Sequence, residues 1–272
     1  FHVYTEARTP KELLSIKSYL ATQNLEKTRL IVWSDYDITE QENIQPFKEF
    51  VDFRVYSAKE LSVGTPLEGI ETHFINGMDR NHWMSSGIMR FLVLYKFGGI
   101  YFDMDMVLLR DFKPILGQDF AYQWGGSTDF KKERRWEPDC HGPCAAMLGA
   151  NRGGTYIEAC MQQLIKTLPS GGTCYDEDML AYVYSDVPFT VFPASFFNAE
   201  WLMSKVDKTL ALEVENSWFT SELKDRNTLF LDSFAWHWHN SSNKNKEVVE
   251  GSKFDLLEKI TDNKLKSVLH NE

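Results

Sequence analysis

Apolar positions along the chain change their period several times, and each change predicts an element. Phe1-His2-Val3-Tyr4 reads as the end of a first strand. Thr9-Pro10 opens a helix to about Gln23, because proline fits a first helical turn, where its missing N–H has no partner to lose. Leu30-Ile31-Val32-Trp33 is apolar without interruption and stops at Ser34-Asp35, as a strand buried on both faces of a parallel sheet does. Val51 to Tyr56 is a further strand. Strand, helix and strand at this spacing predict a doubly wound α/β sheet. Ligands of such sheets sit at the carboxyl ends of the strands, which puts Tyr4, Thr5, Ser34 and Asp35 on the binding side.

Residues 62–84 are rich in Gly, Thr, Asn and charge and read as a long loop, with Asp79 and Arg80 near its end. From about His82 to Phe97 the stripe Ile88, Phe91, Leu92 and Tyr95 predicts an amphipathic helix with Arg90 off the stripe. Gly98-Gly99 stops it, since glycine takes the left-handed C-terminal conformation without a Cβ penalty. A short apolar strand follows, interrupted by two aspartates. Extended backbone would put Tyr101, Asp103 and Asp105 on one side and Phe102 and Met104 on the other. Two ionised carboxylates in an apolar strand repel each other and are costly to desolvate, and a divalent cation removes that cost.

Beyond Pro114, Ala121 to Trp124 is a strand candidate, and Gly142 to Gly149 is a small-residue strand. Thr155 to Leu168 is a helix closed by Pro169. A second helix begins at Asp176-Glu177-Asp178, where acids cap free amides and meet the positive end of the dipole. Phe189 to Pro193 is a late strand. In Ser233 to His239, an extended backbone puts His237 and His239 on one face and Trp236 and Trp238 on the other. The Lys/Glu/Asn-rich remainder from about Asn243 is a solvated tail or a terminal helix.

Composition narrows the reading. The 272 residues are 43% hydrophobic and 25% charged, as in a globular protein, and no apolar run reaches a membrane span. A net charge of −10 with no basic run argues against nucleic acid as a partner. The four cysteines, at 140, 144, 160 and 174, form no disulfide framework in so long a chain and read as ordinary thiols. The chain starts at Phe1 rather than Met. The expected compartment is the cytoplasm, or the Golgi lumen if an upstream anchor has been removed.

The frame Arg90-x3-Leu94-Tyr95-x2-Gly98-Gly99-Ile100-Tyr101-x-Asp103-x-Asp105 resembles the sugar-nucleotide signature of the DXD glycosyltransferases. The group in question contains the α-1,4-galactosyltransferases, the yeast initiating mannosyltransferase and the glucosylating toxins. The likeness covers Ser85 to Pro114, with fainter echoes near Cys174 and Ala235. It implies a single GT-A domain over 1–272, with a Rossmann-like, mixed, mostly parallel central sheet flanked by helices. Its nucleotide-sugar half would be about 1–115, its acceptor half about 116–245, and its tail or helix about 246–272.

The resemblance also implies chemistry. A UDP-sugar would be the donor, a glycan hydroxyl the acceptor, and Mn2+ or Mg2+ the metal. Tyr4 and Thr5 would meet uracil and ribose, and Arg90, Asp103 and Met104 the donor. Asp103 and Asp105 would hold the metal with a C-terminal histidine, His237 ahead of His239 because Ala235-x-His237 matches the group. Asp176 and Glu177 match an Asp-Gln-Asp helix start that faces the reacting carbon, with Glu in place of Gln. Where the group has Ser-Asp, this chain has Ser86-Gly87, so the donor sugar is left open. Retention of the anomeric configuration is expected, with Asp79 the candidate base should the reaction invert. Oligomeric state is not addressed by the sequence. Two other readings stand beside this one: a haloacid-dehalogenase-type phosphatase with Asp103 as nucleophile, and a non-catalytic sugar-binding module.

Overall fold

The structure is a computed structural model, and it describes residues 1–5, 9–70, 82–123, 143–167, 176–199, 218–223 and 229–269. The first half runs β1 (His2–Tyr4), α1 (Pro10–Thr22), β2 (Ile31–Ser34), β3 (Asp52–Val55), α2 (Ala58–Ser62), α3 (His82–Phe97), β4 (Gly99–Phe102) and β5 (Met106–Leu108). The second half runs β6 (Phe120–Gln123), β7 (Pro143–Ala150), α4 (Thr155–Thr167), α5 (Asp176–Tyr184), β8 (Thr190–Phe192), β9 (Ala235–His237), α6 (Asn240–Asn243) and α7 (Lys253–Leu269).

Seven strands form one sheet in the order β3-β2-β1-β4-β7-β6-β8. The β3–β2, β2–β1, β1–β4 and β6–β8 pairs are parallel, and only β7 runs against its neighbours β4 and β6. This is the mixed, mostly parallel α/β sheet that the sequence predicts.

Side-chain alternation divides the interior. Val3, Val32, Ile100 and Phe102 point to one face and pack with α1 residues such as Ile16 and Leu20. Tyr4, Trp33 and Tyr101 point to the other and pack with α3, α4 and α5. Burying a side chain such as Phe102, 0% exposed, is worth roughly 1.5–3 kcal/mol. With helices on both faces, the central strands must be apolar on both sides, which is why they read as unbroken apolar runs.

Two elements differ from the sequence reading, and a third takes one of its two alternatives. α3 is buried all the way round from Ile88 to Leu94, Arg90 included, because it is flanked by α2 and α4 as well as lying on the sheet. The predicted single stripe is therefore too narrow. The strand that the aspartates were expected to interrupt ends at Phe102, and β5 pairs antiparallel with β9 in a separate two-stranded sheet. The C-terminal segment is a helix, α7, packed on α1 through Leu14, Phe254 and Leu257. Cys144 and Cys160 are buried and not in disulfides, and Cys140 and Cys174 lie outside the described residues.

β5 has a second edge, and α1 satisfies it with side chains. The Ser15 hydroxyl donates to the Met104 and Met106 carbonyls, and Ser18 Oγ accepts from Leu108 N–H at 2.9 Å. Gln23 donates to the Arg110 carbonyl at 2.9 Å and accepts from Phe112 N–H at 3.1 Å. Ser15 and Ser18 are both 0% exposed. A helix here does for a strand edge part of what another strand would do.

Candidate active site

The two sheets meet at Asp103-Met104-Asp105. Asp103 N–H donates to the Ala146 carbonyl at 2.8 Å, the last ladder bond of β4 with β7, and Met106 N–H closes a turn onto the Asp103 carbonyl at 3.0 Å. The carboxylates thus sit on a turn rather than along one strand, and each is held by a different part of the chain. Asp105 accepts Trp238 N–H at its carbonyl, 3.0 Å, and Asn240 N–H at Oδ2, 2.8 Å. β9 pairs Met106 with His237, and this register brings the C-terminal histidine to the turn.

Asp103 Oδ1 accepts from Tyr101 Oη at 2.7 Å and from Arg90 at 3.2 Å. Arg90 also donates to the carbonyls of Ala145 and, at 3.3 Å, Ser86, and its guanidinium lies 4.8 Å from the centre of the Tyr101 ring. Although it lies off the apolar stripe, Arg90 is only 4% exposed, and it ties α3 to β4 and β7. Burial raises the Asp103 carboxyl to about 6, against the pull of Arg90 and with a further push from Asp105. The side chain keeps 29% of its surface exposed, which tempers that push. Burial would raise Asp105 too, but His237 and the Asn240 N–H hold it well below the usual carboxylate range. The pair is split, one carboxyl firmly ionised and the other close to titrating.

His237 Nε2 stands 3.1 Å from Asp105 Oδ1. By distance this is an ion-pair contact; Oδ1 is buried and makes no well-aligned hydrogen bond, although His237 acts on the Asp105 carboxyl through both charge and hydrogen bonding. The other ring nitrogen, Nδ1, is 3.1 Å from Tyr122 Oη. His239 stacks on His237 with ring centres 3.9 Å apart, and its Nε2 accepts from the Asn198 amide nitrogen at 3.1 Å. Burial, with His237 beside it, lowers the His239 ring well below the ordinary value, so it is neutral. His239 has φ 53°, a left-handed conformation uncommon outside glycine and asparagine, and it turns the chain from β9 into α6.

A divalent cation fits this arrangement. An oxygen and an imidazole nitrogen on bonds of about 2.1 Å at right angles stand about 3.0 Å apart, which suits octahedral Mg2+ or Mn2+. Asp105 Oδ1 and His237 Nε2 have that separation, and the oxygen would gain a well-aligned partner. Among the described residues no three His, Cys, Asp or Glu side chains converge to form a complete cage. The protein offers part of a coordination sphere, as sites do that also take substrate phosphates.

The other residues singled out in the sequence are spread more widely. Tyr4 ends β1 and donates to Asp35 Oδ2 at 2.5 Å, joining the carboxyl ends of β1 and β2. Thr5, 4% exposed, donates its N–H to the Trp33 carbonyl at 2.9 Å. Met104, 8% exposed, packs under the turn with the α1 face of the sheet. Asp79 lies outside the described residues. Asp176 and Glu177 begin α5, and their side chains lie outside the described set. Sequence reasoning missed Ser15, Tyr122 and Asn198. Only Ser15 had a signal, as one of two serines three residues apart set among Leu13, Leu14, Ile16, Tyr19 and Leu20.

Residues 10–121 match the family described as the glycosyltransferase sugar-binding region containing the DXD motif. No curated protein matches the chain by sequence. Among solved structures, PaToxG glycosyltransferase superposes with a TM-score of 0.50 at 14% identity, over 98% of this chain and 84% of that one. Two structures of the glycosyltransferase GlyE from Streptococcus pneumoniae TIGR4, one of them the apo form, superpose with a TM-score of 0.51 at 11% and 12% identity, over 99% of this chain. The chain spans about three-fifths of the GlyE chains, 61% and 63%. At such identities the superpositions speak for the fold, and the matched region speaks for the motif. By that region and that fold, the chain is similar to the GT-A glycosyltransferases of the DXD type.

Proposed function

We propose that the protein moves a sugar from a nucleotide sugar, a UDP-sugar in the first instance, to a hydroxyl of a glycan acceptor, with Mn2+ or Mg2+ bound at the turn. One observation carries the reading: the buried Asp105 Oδ1, which makes no well-aligned hydrogen bond, faces His237 Nε2 at 3.1 Å beside a family DXD motif. When bound, the cation would act as a Lewis acid toward the donor diphosphate and take up charge as the nucleotide leaves. Asp105 and His237 would hold it. His239 supports the first-choice ligand instead, since its Nε2 is turned to Asn198.

The chain's own groups divide the remaining work. Asp103, fixed by Arg90 and Tyr101, would orient the donor sugar or share the metal. Tyr4, Thr5 and Asp35 at the strand ends would meet the base and ribose, which favours residues 1–115 as the donor half and leaves 116–245 for the acceptor. Asp176 and Glu177 at the start of α5 would face the anomeric carbon in a retaining reaction, which we favour, and Asp79 would be the base of an inverting one. A phosphatase reading gains no support from Asp103, whose Oδ1 is engaged by two donors rather than poised for attack.

A thermal-shift panel of nucleotide sugars with and without Mn2+ tests the proposal. Stabilisation by a UDP-sugar that requires Mn2+ is expected. A panel in which no nucleotide sugar shifts the melting temperature in the presence of Mn2+ would overturn it.

A further inference from the structure

Residues 240–247, Asn-Ser-Ser-Asn-Lys-Asn-Lys-Glu, offer no apolar side chain to the core, and α6 within them spans only Asn240–Asn243. So short a helix has no stability of its own, and polar contacts must set its place. At its start, Asn240 N–H donates to Asp105 Oδ2 at 2.8 Å. Asn243 Nδ2 ties the segment to itself, on the Trp238 carbonyl at 2.7 Å and the His239 carbonyl at 3.2 Å. At its end, Lys11 from the first turn of α1 ties it to another part of the molecule. Lys11 Nζ donates to the carbonyls of Asn243 at 3.0 Å, Lys244 at 3.4 Å and Lys246. The three N–H bonds of an ammonium thus meet three carbonyls, and the Phe219 ring centre lies 4.7 Å from the same nitrogen. Lys11 and Ser15 stand four residues apart, on one face of α1. Ser15 holds the Met104 and Met106 carbonyls on either side of Asp105. One helix therefore reaches Asp105 twice, through the turn and through α6.

We propose that Lys11 is a positioning residue: its ammonium pins the end of α6, so that Asn240 N–H stays on Asp105 Oδ2 and Oδ1 is the oxygen left to face a cation. What Lys11 supplies is a compact charge with three donors, and a small alkylammonium ion supplies the same. Lys11 is half-buried, so such an ion can reach the space that truncation would leave. The placement of α6 concerns the metal-free protein, and only its consequence for donor affinity rests on the metal reading above.

Amide hydrogen exchange of the metal-free protein, read in assigned 1H–15N spectra, tests the placement. Lys11→Met and Lys11→Ala should each exchange the Asn240 N–H about tenfold faster than the wild type, with Val3 and Val32 in the central sheet unaltered. Ethylammonium chloride should restore protection in Lys11→Ala but not in Lys11→Met, whose side chain fills the space. Sodium chloride at the same concentration should restore neither. Lys11→Ala should also bind UDP in the presence of Mn2+ about tenfold more weakly and recover with ethylammonium. Asn240 protection that is unchanged in both variants, that is lost equally at Val3 and Val32, or that ethylammonium fails to restore in Lys11→Ala overturns the proposal. If protection responds as stated but the wild type binds no UDP with Mn2+, the metal reading fails and the role of Lys11 stands.

Discussion

Ser15 Oγ lies 2.6 Å from the Met104 carbonyl, in the middle of the Asp103–Asp105 turn, although the two residues are 89 positions apart in the chain. The serine is fully buried, and its hydroxyl meets the Met106 carbonyl as well. The turn that presents both carboxylates is therefore anchored from behind by α1. Ser15→Ala should lower stability by about 1–2 kcal/mol, the cost of leaving a buried carbonyl without its donor. It should also weaken Mn2+-dependent UDP binding about tenfold, as loss of support behind a ligand does. Urea unfolding together with calorimetry checks both. Equal stability loss with unaltered binding would make Ser15 a packing residue only.

Arg90 joins three acceptors, the Asp103 carboxylate and the carbonyls of Ala145 and Ser86. Arg90→Leu should cost about 3 kcal/mol, because it takes the cationic partner from a buried carboxylate and a donor from the Ala145 carbonyl. Arg90→Lys should recover little of this, since an ammonium cannot reproduce the planar fork. The Asp103 carboxyl, already raised to about 6, should rise further in Arg90→Leu. Carboxyl 13C shifts followed through a pH titration check the direction.

Gly98 ends α3 at φ +67°, and a Cβ there would meet Arg152 N at 2.7 Å and the Ala150 carbonyl at 3.2 Å. Gly64 has φ +76° with nothing within 4 Å of the same point. Gly98→Ala should thus cost about 3 kcal/mol and Gly64→Ala about 1, the first adding overlap with backbone to the left-handed strain that both share. Denaturant midpoints of the two variants, compared side by side, check the difference.

His2 links stability to pH. Trp33 Nε1 donates to His2 Nδ1 at 3.3 Å, so the ring proton sits on Nε2, 3.0 Å from the Gly98 carbonyl. Burial lowers the ring pKa to about 3, from an ordinary 6.5. The unfolded chain then takes up a proton before the folded one does. The stability that His2 supports is complete above pH 6.5 and declines as pH falls toward 3, by about 1.4 kcal/mol per unit. Unfolding free energies from pH 7.5 to 5 should fall more steeply for the wild type than for His2→Asn. Parallel profiles would remove His2 as a source of the slope.

Much of this was legible in the sequence because it depends on local pattern. Period and punctuation give the strands up to Val55, α3 and its Gly98 stop, and the Asp pair announces its own chemistry. Arg90 showed only through the family frame, since its position off the Ile88/Phe91/Leu92/Tyr95 stripe reads as solvent until α2 and α4 cover it. The break at Asp103 was hidden for a similar reason. Residues 99–109 are a plausible single strand, and only the pairing of Met106 with His237, across 131 positions, decides that the chain leaves the main sheet. Tyr122 and Asn198 gave no signal at all, because a tyrosine in a strand and an asparagine in a loop become supporting residues only when distant histidines arrive beside them.

The central claim is that Asp105 and His237 hold a divalent cation through which a nucleotide diphosphate binds, and titration calorimetry of UDP tests it most directly. Wild-type protein should bind UDP with Mn2+ and lose that binding in EDTA. Asp105→Asn, which keeps the side chain's shape and removes its charge, should show no Mn2+-dependent binding while melting like the wild type. His237→Gln should weaken it by at least about tenfold. UDP binding by the wild type that is equally tight in EDTA, or by Asp105→Asn that is equally tight in Mn2+, would contradict the account.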